Sequence, residues 1–150
     1  MSYKHFRPKS PRYGVEVVIV ESEKINSFTS AGTDTYRIPT PYRRCFVERI
    51  SAQCQQVPIV TTGTSTATVK LFRANGGATV TISSGLDLET LVANKAKVFV
   101  LPTTTTDGQR VLIQDSTNGG DTLFIDVVNG TTIATPPTAL YFVVELLVLE

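Results

Sequence analysis

The chain has 150 residues, enough for one domain that buries a core without help from disulfides or a structural metal. A net charge of +1 with 41% hydrophobic residues gives neither the field of a polyanion-binding protein nor the charge excess of a disordered one. The sequence is rich in Thr and Val and lacks Trp, which favours strands, because β-branched side chains fit a pleated, half-buried surface.

Charge is unevenly placed along the chain. Lys4, Arg7, Lys9 and Arg12 fall in the first dozen residues, where there is no acid, leaving ten basic against thirteen acidic residues in the remainder. Pro8 and Pro11 each remove a backbone donor and bias the preceding residue toward extended conformations. Residues 1–12 are therefore expected to form an extended basic arm, followed by one β-sandwich domain over 13–150. Through Lys4, Phe6, Arg7, Lys9 and Arg12 the arm suits a neighbouring protein subunit better than a nucleic acid, with a plain solvated tail as the other reading. No apolar stretch of the secretory kind follows Met1. The longest apolar run, ALYFVVELLVLE, is interrupted by Glu145 and too short to span a bilayer, so a cytoplasmically made chain with no membrane partner is expected.

Residues 13–20 (YGVEVVIV) read as a strand, and the polar ESEKINSFTSAGTDT after them as a long surface loop. Residues 44–54 read as a half-buried strand with Phe46, Ile50, Ala52 and Cys54 on one face, although Val47 and Glu48 break the alternation. On a continuous strand Cys45 and Cys54, nine apart, stand about 30 Å from each other and on opposite faces, which makes them free buried thiols and not a disulfide or a metal pair. Thr61-Thr62-Gly63 reads as loop. Ala67, Val69 and Leu71 then alternate with Thr68 and Lys70, and Asn75-Gly76-Gly77 supplies a hairpin turn before Val80 and Ile82. Over 86–96, Leu86, Leu88, Leu91 and Val92 roughly follow helical spacing behind a Ser or Asp cap, which predicts one short helix. Four more strands are expected over 97–101, 110–114, 122–128 and 139–149, separated by turn formers. The last is apolar on both faces. A monomer cannot easily bury both, so Tyr141, Val143, Val144 and Leu147 are assigned to an oligomer interface. About eight strands and one short helix make an all-β, two-sheet sandwich, for which the jelly roll is the commonest eight-stranded form.

The chemistry-bearing residues are sparse. His5, the lone histidine, lies in the arm, so a Ser or Cys triad is excluded, and one His with two opposed Cys cannot build a zinc site. No phosphate-cradling glycine motif is present, and no cofactor is expected. Asp115, Asp121 and Asp126 are near one another in sequence, and a carboxylate pair could serve a glycosidase. The better reading makes Asp115 and Asp121 solvated turn residues whose spacing does not match an EF-hand calcium loop, and Asp126 an outward strand position. No catalytic residue is assigned.

The stretches TATVKLFRANGGATVTISSGLDLETLVANKAKVFVL, GGDTLFIDVVNGTT and TALYFVVELLVLE together resemble the small jelly-roll head-decoration, or capsid cement, proteins of tailed-phage virions. The likeness rests on a Thr-rich TATVKL strand, a GLDL stretch leading to a short helix, a GD-x-L strand start and a final strand. It implies a non-enzymatic homotrimer on the outer surface of a phage head, where it clamps neighbouring major capsid subunits and stabilises the shell. The competing expectation is a carbohydrate- or receptor-binding sandwich module of a phage fibre or tail, which shares the architecture and the lack of catalysis.

Overall fold

A computed structural model describes residues 2–6, 16–39, 44–73, 77–101, 112–113 and 121–148. In chain order the strands are β1 (Ser2–Phe6), β2 (Glu16–Glu21), β3 (Thr33–Ile38), β4 (Cys45–Gln53), β5 (Ile59–Thr62), β6 (Thr66–Phe72) and β7 (Thr79–Thr81). There follow β8 (Leu86–Asp87), β9 (Lys97–Val98), β10 (Leu112–Ile113), β11 (Thr122–Val128), β12 (Thr132–Thr135) and β13 (Tyr141–Val148). Strict alternation drives the arrangement: in β2, β6, β11 and β13 every second side chain is buried, while its neighbours stay half-buried or exposed.

All the pairings are antiparallel. One sheet runs β1-β2-β13-β4, with β9 and β10 sharing the far side of β4; the other runs β3-β11-β6, with β7 and β8 sharing the far side of β6. A small β5–β12 pair stands apart. The pairing is nested: β2 pairs with β13, β3 with β11, β4 with β9 and β10, and β6 with β7, as in a long ribbon folded over on itself. The protein is therefore all-β. Its two main sheets face each other across a core of Val18, Val20, Ile50, Val69, Leu71, Leu123, Ile125, Phe142, Val144 and Leu146. The ring of Phe142 on β13 lies 6.2 Å from that of Tyr36 on β3 and 6.1 Å from that of Phe99, which ties the layers together.

Four expectations are corrected. Cys45 and Cys54 do not lie on opposite faces: both are buried in the core and both are free thiols. The reason is a bulge, since Glu145 pairs with Arg49 but Leu146 with Val47, so Glu48 is an extra residue that flips the parity of β4 between its two ends. The helix expected over 86–96 shrinks to a 3₁₀ turn, Leu88–Thr90. Leu86 pairs with Ala67 as a strand, the Asp87 carboxylate caps the turn by accepting from the Glu89 amide at 3.0 Å, and Leu91 is already extended. Beyond it residues 92–98 are all exposed, so no buried face exists to hold a second helical turn. Finally, β3 occupies what reads as surface loop, and β5 includes Thr61 and Thr62.

The β5–β12 pair closes through Gly63 and Gly130. Gly63 adopts φ +84°, and the Thr131 amide donates to the Thr62 carbonyl at 2.9 Å. A Cβ on Gly130 would collide with that same carbonyl oxygen and stand 2.6 Å from Val60 Cγ1. Gly130→Ala is therefore expected to destabilise the protein by about 1–3 kcal/mol, the usual cost of forced overpacking, read as a lower urea midpoint at unchanged slope.

Candidate interaction faces

β13 lies in the middle of the first sheet, and its outward side chains organise that face. Leu147 stands between Val17 and Phe46, Glu145 between Ile19 and Arg49, and Val143 between Glu21 and Ser51. Val17, Ile19, Phe46, Tyr141, Val143 and Leu147 are half-buried, giving a mixed face in which these apolar side chains alternate with Glu21, Glu145 and Arg49. Tyr141, Val143 and Leu147 therefore share the outward parity that the sequence suggests for an interface. Val144 does not. It points inward with 0% exposure, so it belongs to the core and is withdrawn from the interface set.

The amino-terminal segment also differs from the expected arm. Ser2–Phe6 is a strand paired along β2 from Ser2 with Glu21 to Phe6 with Val17, so these residues are part of the first sheet and not a segment outside the domain. An otherwise open β2 edge, with its row of backbone donors and acceptors, is what this short segment pairs with. Lys4 occupies the register position opposite Ile19; Arg7, Lys9 and Arg12 lie outside the described residues.

The outward face of the second sheet is different in chemistry. Across β3, β11 and β6 it sets Thr35, Asp126 and Thr68 in one row and Arg37, Phe124 and Lys70 in the next. Asp126 accepts from Thr35 Oγ1 at 2.6 Å and forms an ion pair with Lys70 Nζ at 2.9 Å. Burial pushes its carboxyl up, but the hydrogen bonds from Thr35 and Lys70 and the charge of Lys70 outweigh this and hold it below its ordinary 3.8. A carboxyl depressed on folding stabilises the protein above its unfolded-state value, and that contribution disappears as pH falls through the folded-state value. Wild type should thus lose stability below about pH 4 in a way that Asp126→Asn does not, in thermal melts run side by side from pH 6 to 2.

Asp121 is not the solvated turn carboxylate expected from sequence. Its side chain is 7% exposed and pairs with Arg73 Nη1 at 2.8 Å, because the start of β11 lies beside the end of β6. Asp115 lies outside the described residues. Asp121 and Asp126 are each paired with a cation of their own.

A third polar group sits at one end of the sandwich. The Asp34 carboxylate accepts from the Thr29 amide at 2.9 Å, from Thr29 Oγ1 at 2.7 Å and from Asn129 Nδ2 at 2.8 Å, while Asn129 Oδ1 accepts from Ser65 Oγ at 2.9 Å. With these partners in place the cluster fastens the loop before β3 to the ends of β11 and β6, an architectural role. Burial pushes the Cys45 thiol up to about 12 and raises Cys54 as well, so neither is a thiolate at neutral pH. The Tyr36 phenol is pushed up to about 12, first by burial and then by the charge of Asp34.

Among the described residues no three His, Cys, Asp or Glu side chains gather as metal ligands, and no helix is long and apolar enough to cross a membrane. The surface that sequence reasoning missed is the one around Arg37 and Phe124. Its signal was the alternation in TDTYRI, whose polar outward residues resemble a loop. Comparison with protein-family models, curated proteins and solved structures found no match to this chain.

Proposed function

We propose that the chain is a non-enzymatic structural protein of a phage virion. In this reading it sits on the outer surface of the head as a homotrimer and clamps neighbouring major capsid subunits. The observation that carries the reading is the outward face centred on β13, with Val17, Phe46, Val143 and Leu147 around it, at the heart of the longer sheet. Half-buried apolar side chains interleaved with Glu21, Glu145 and Arg49 suit an assembly contact of mixed polarity. The nested strand order further supports reading the sandwich as a jelly roll, an architecture common in capsid proteins.

Light scattering and co-sedimentation with undecorated heads test this directly. A trimer that pellets with heads, and a folded Leu147→Glu variant that is neither trimeric nor pelleted, are the expected results. A wild-type monomer that stays in the supernatant would overturn the assignment.

A second reading, a carbohydrate- or receptor-binding module, is favoured by the opposite face, where Phe124 and the 38%-exposed Phe72 lie among threonines and cations. Glycan binding by the isolated protein, without affinity for heads, would favour it.

A further inference from the structure

The outward face of the second sheet carries one unusual juxtaposition. Arg37 on β3 is directly opposite Phe124 on β11, Phe124 is opposite Lys70 on β6, and Lys70 is opposite Thr81 on β7. Residues opposed in this way place their Cβ atoms about 5 Å apart, so the four side chains form a continuous strip on one face. Phe72, the next outward residue on β6, adds a second aromatic ring diagonal to Phe124.

The charges on this strip are not equivalent. The Lys70 ammonium is held by Asp126, and the neighbouring Arg73 guanidinium by Asp121. Arg37 is exposed and forms no ion pair among the described residues; Asp126, the acid one row away, is already occupied by Thr35 and Lys70. What remains is a single uncompensated guanidinium beside an aromatic ring, bordered by the exposed hydroxyl residues Thr35 and Thr81.

We infer that this strip binds an acidic sugar, with Arg37 taking the carboxylate and Phe124 packing against the apolar face of the pyranose ring. The inference rests on the carbohydrate-binding reading and names its ligand class. A guanidinium presents a planar fork of donors that matches a carboxylate, and the threonines supply partners for the ring hydroxyls. A polynucleotide fits less well. It needs a track of cations, whereas here one cation is unpaired, and the chain outside residues 1–12 carries ten basic against thirteen acidic residues.

Calorimetric titration of the full chain with a galacturonic-acid oligomer and with the corresponding neutral galactose oligomer tests the inference. The acidic oligomer should bind about tenfold more tightly, the preference expected of one charge-assisted contact. Arg37→Ala should abolish that preference with an unchanged thermal transition. Phe124→Ala should weaken binding of both oligomers, and Phe124→Tyr, which keeps the ring, should not.

Equal binding of both oligomers would overturn the role of Arg37 while leaving the carbohydrate reading in place. Binding of neither would overturn both. An acidic preference that survives Arg37→Ala would place the site elsewhere, and tighter binding of a single-stranded DNA oligomer than of either sugar would overturn the ligand class.

Discussion

Val144→Lys abolishes cooperative unfolding, whereas Val143→Lys, one residue away on the same strand, preserves it. This is the expected result of monitoring far-ultraviolet circular dichroism through a thermal ramp. Val144 is fully buried and pairs with Val20 on one side and Ile50 on the other, both themselves at 0% exposure. An ammonium at that point has no acid and no water, and the effective penalty for such a group is several kcal/mol, comparable with the whole 5–15 kcal/mol that holds a typical domain together. Val143 points outward at a half-buried position, so a lysine there keeps its ammonium in solvent. Under the proposed trimer, its expected defect is in assembly, seen by light scattering as a folded protein of monomer mass. Equal damage from both substitutions would show that the parity of β13 is misassigned.

Phe142→Ala is expected to be the most damaging truncation of an apolar side chain. Among the described residues Phe142 is the largest fully buried side chain, and its ring packs near those of Tyr36 and Phe99. Its backbone is fixed as well, since its amide donates to Ser22 Oγ at 2.8 Å and its carbonyl accepts from the Ser22 amide at 2.9 Å. A cavity there cannot collapse without shifting the hydrogen-bonded strands that wall it. A loss of about 3–5 kcal/mol follows, against about 0.5–1.5 kcal/mol for a peripheral trim such as Ile82→Val. Urea denaturation reads both values from the shift in midpoint. A Phe142→Ala loss below that of Ile82→Val would mean that the two layers are not joined through this ring.

The parts of the fold that were legible in the sequence are those where one physical rule acts alone. β11 follows strict alternation from Thr122 to Val128, and the structure gives the same bounds. The pairing expected of the 66–82 hairpin is likewise present, with Lys70 opposite Thr81 and Phe72 opposite Thr79, while Asn75 and Gly76 of its turn lie outside the described residues. Legibility ended where tertiary context overrode local pattern. In β4 the break in alternation at Val47 and Glu48 is visible in the sequence, but not that Glu48 is an inserted residue that reverses the facing of everything before it. β3 was lost because Asp34 sits at an inward position, which a pattern reader counts as loop; its carboxylate is tolerated there through Thr29 and Asn129, the latter 95 residues away. The 86–96 segment failed for the converse reason, with acceptable helical spacing but no surface for a helix to pack on.

The interaction faces were legible to a similar degree. The doubly apolar character of β13 located the first face, but which of its two sides is internal depends on the partners of β2 and β4. The pairing of Arg37 with Phe124 joins residues from distant parts of the chain, and no local motif announces it.

The nested pairing also sets the tempo of folding. β2 finds its main partner β13 well over a hundred residues later, with Val18 opposite Leu146, and β3 waits nearly as long for β11. Closing such loops costs entropy before any contact repays it, so a chain of this topology folds on the scale of milliseconds to seconds, slower than helical proteins of its size. During translation, β2 and β4 emerge with apolar faces that the nascent chain cannot yet cover. Among the described pairings, β1 with β2 and β6 with β7 are local enough to form early. Ribosome-bound chains that stop short of residue 140 are therefore the species most exposed to aggregation, and the ones for which a chaperone that shields extended apolar segments matters most.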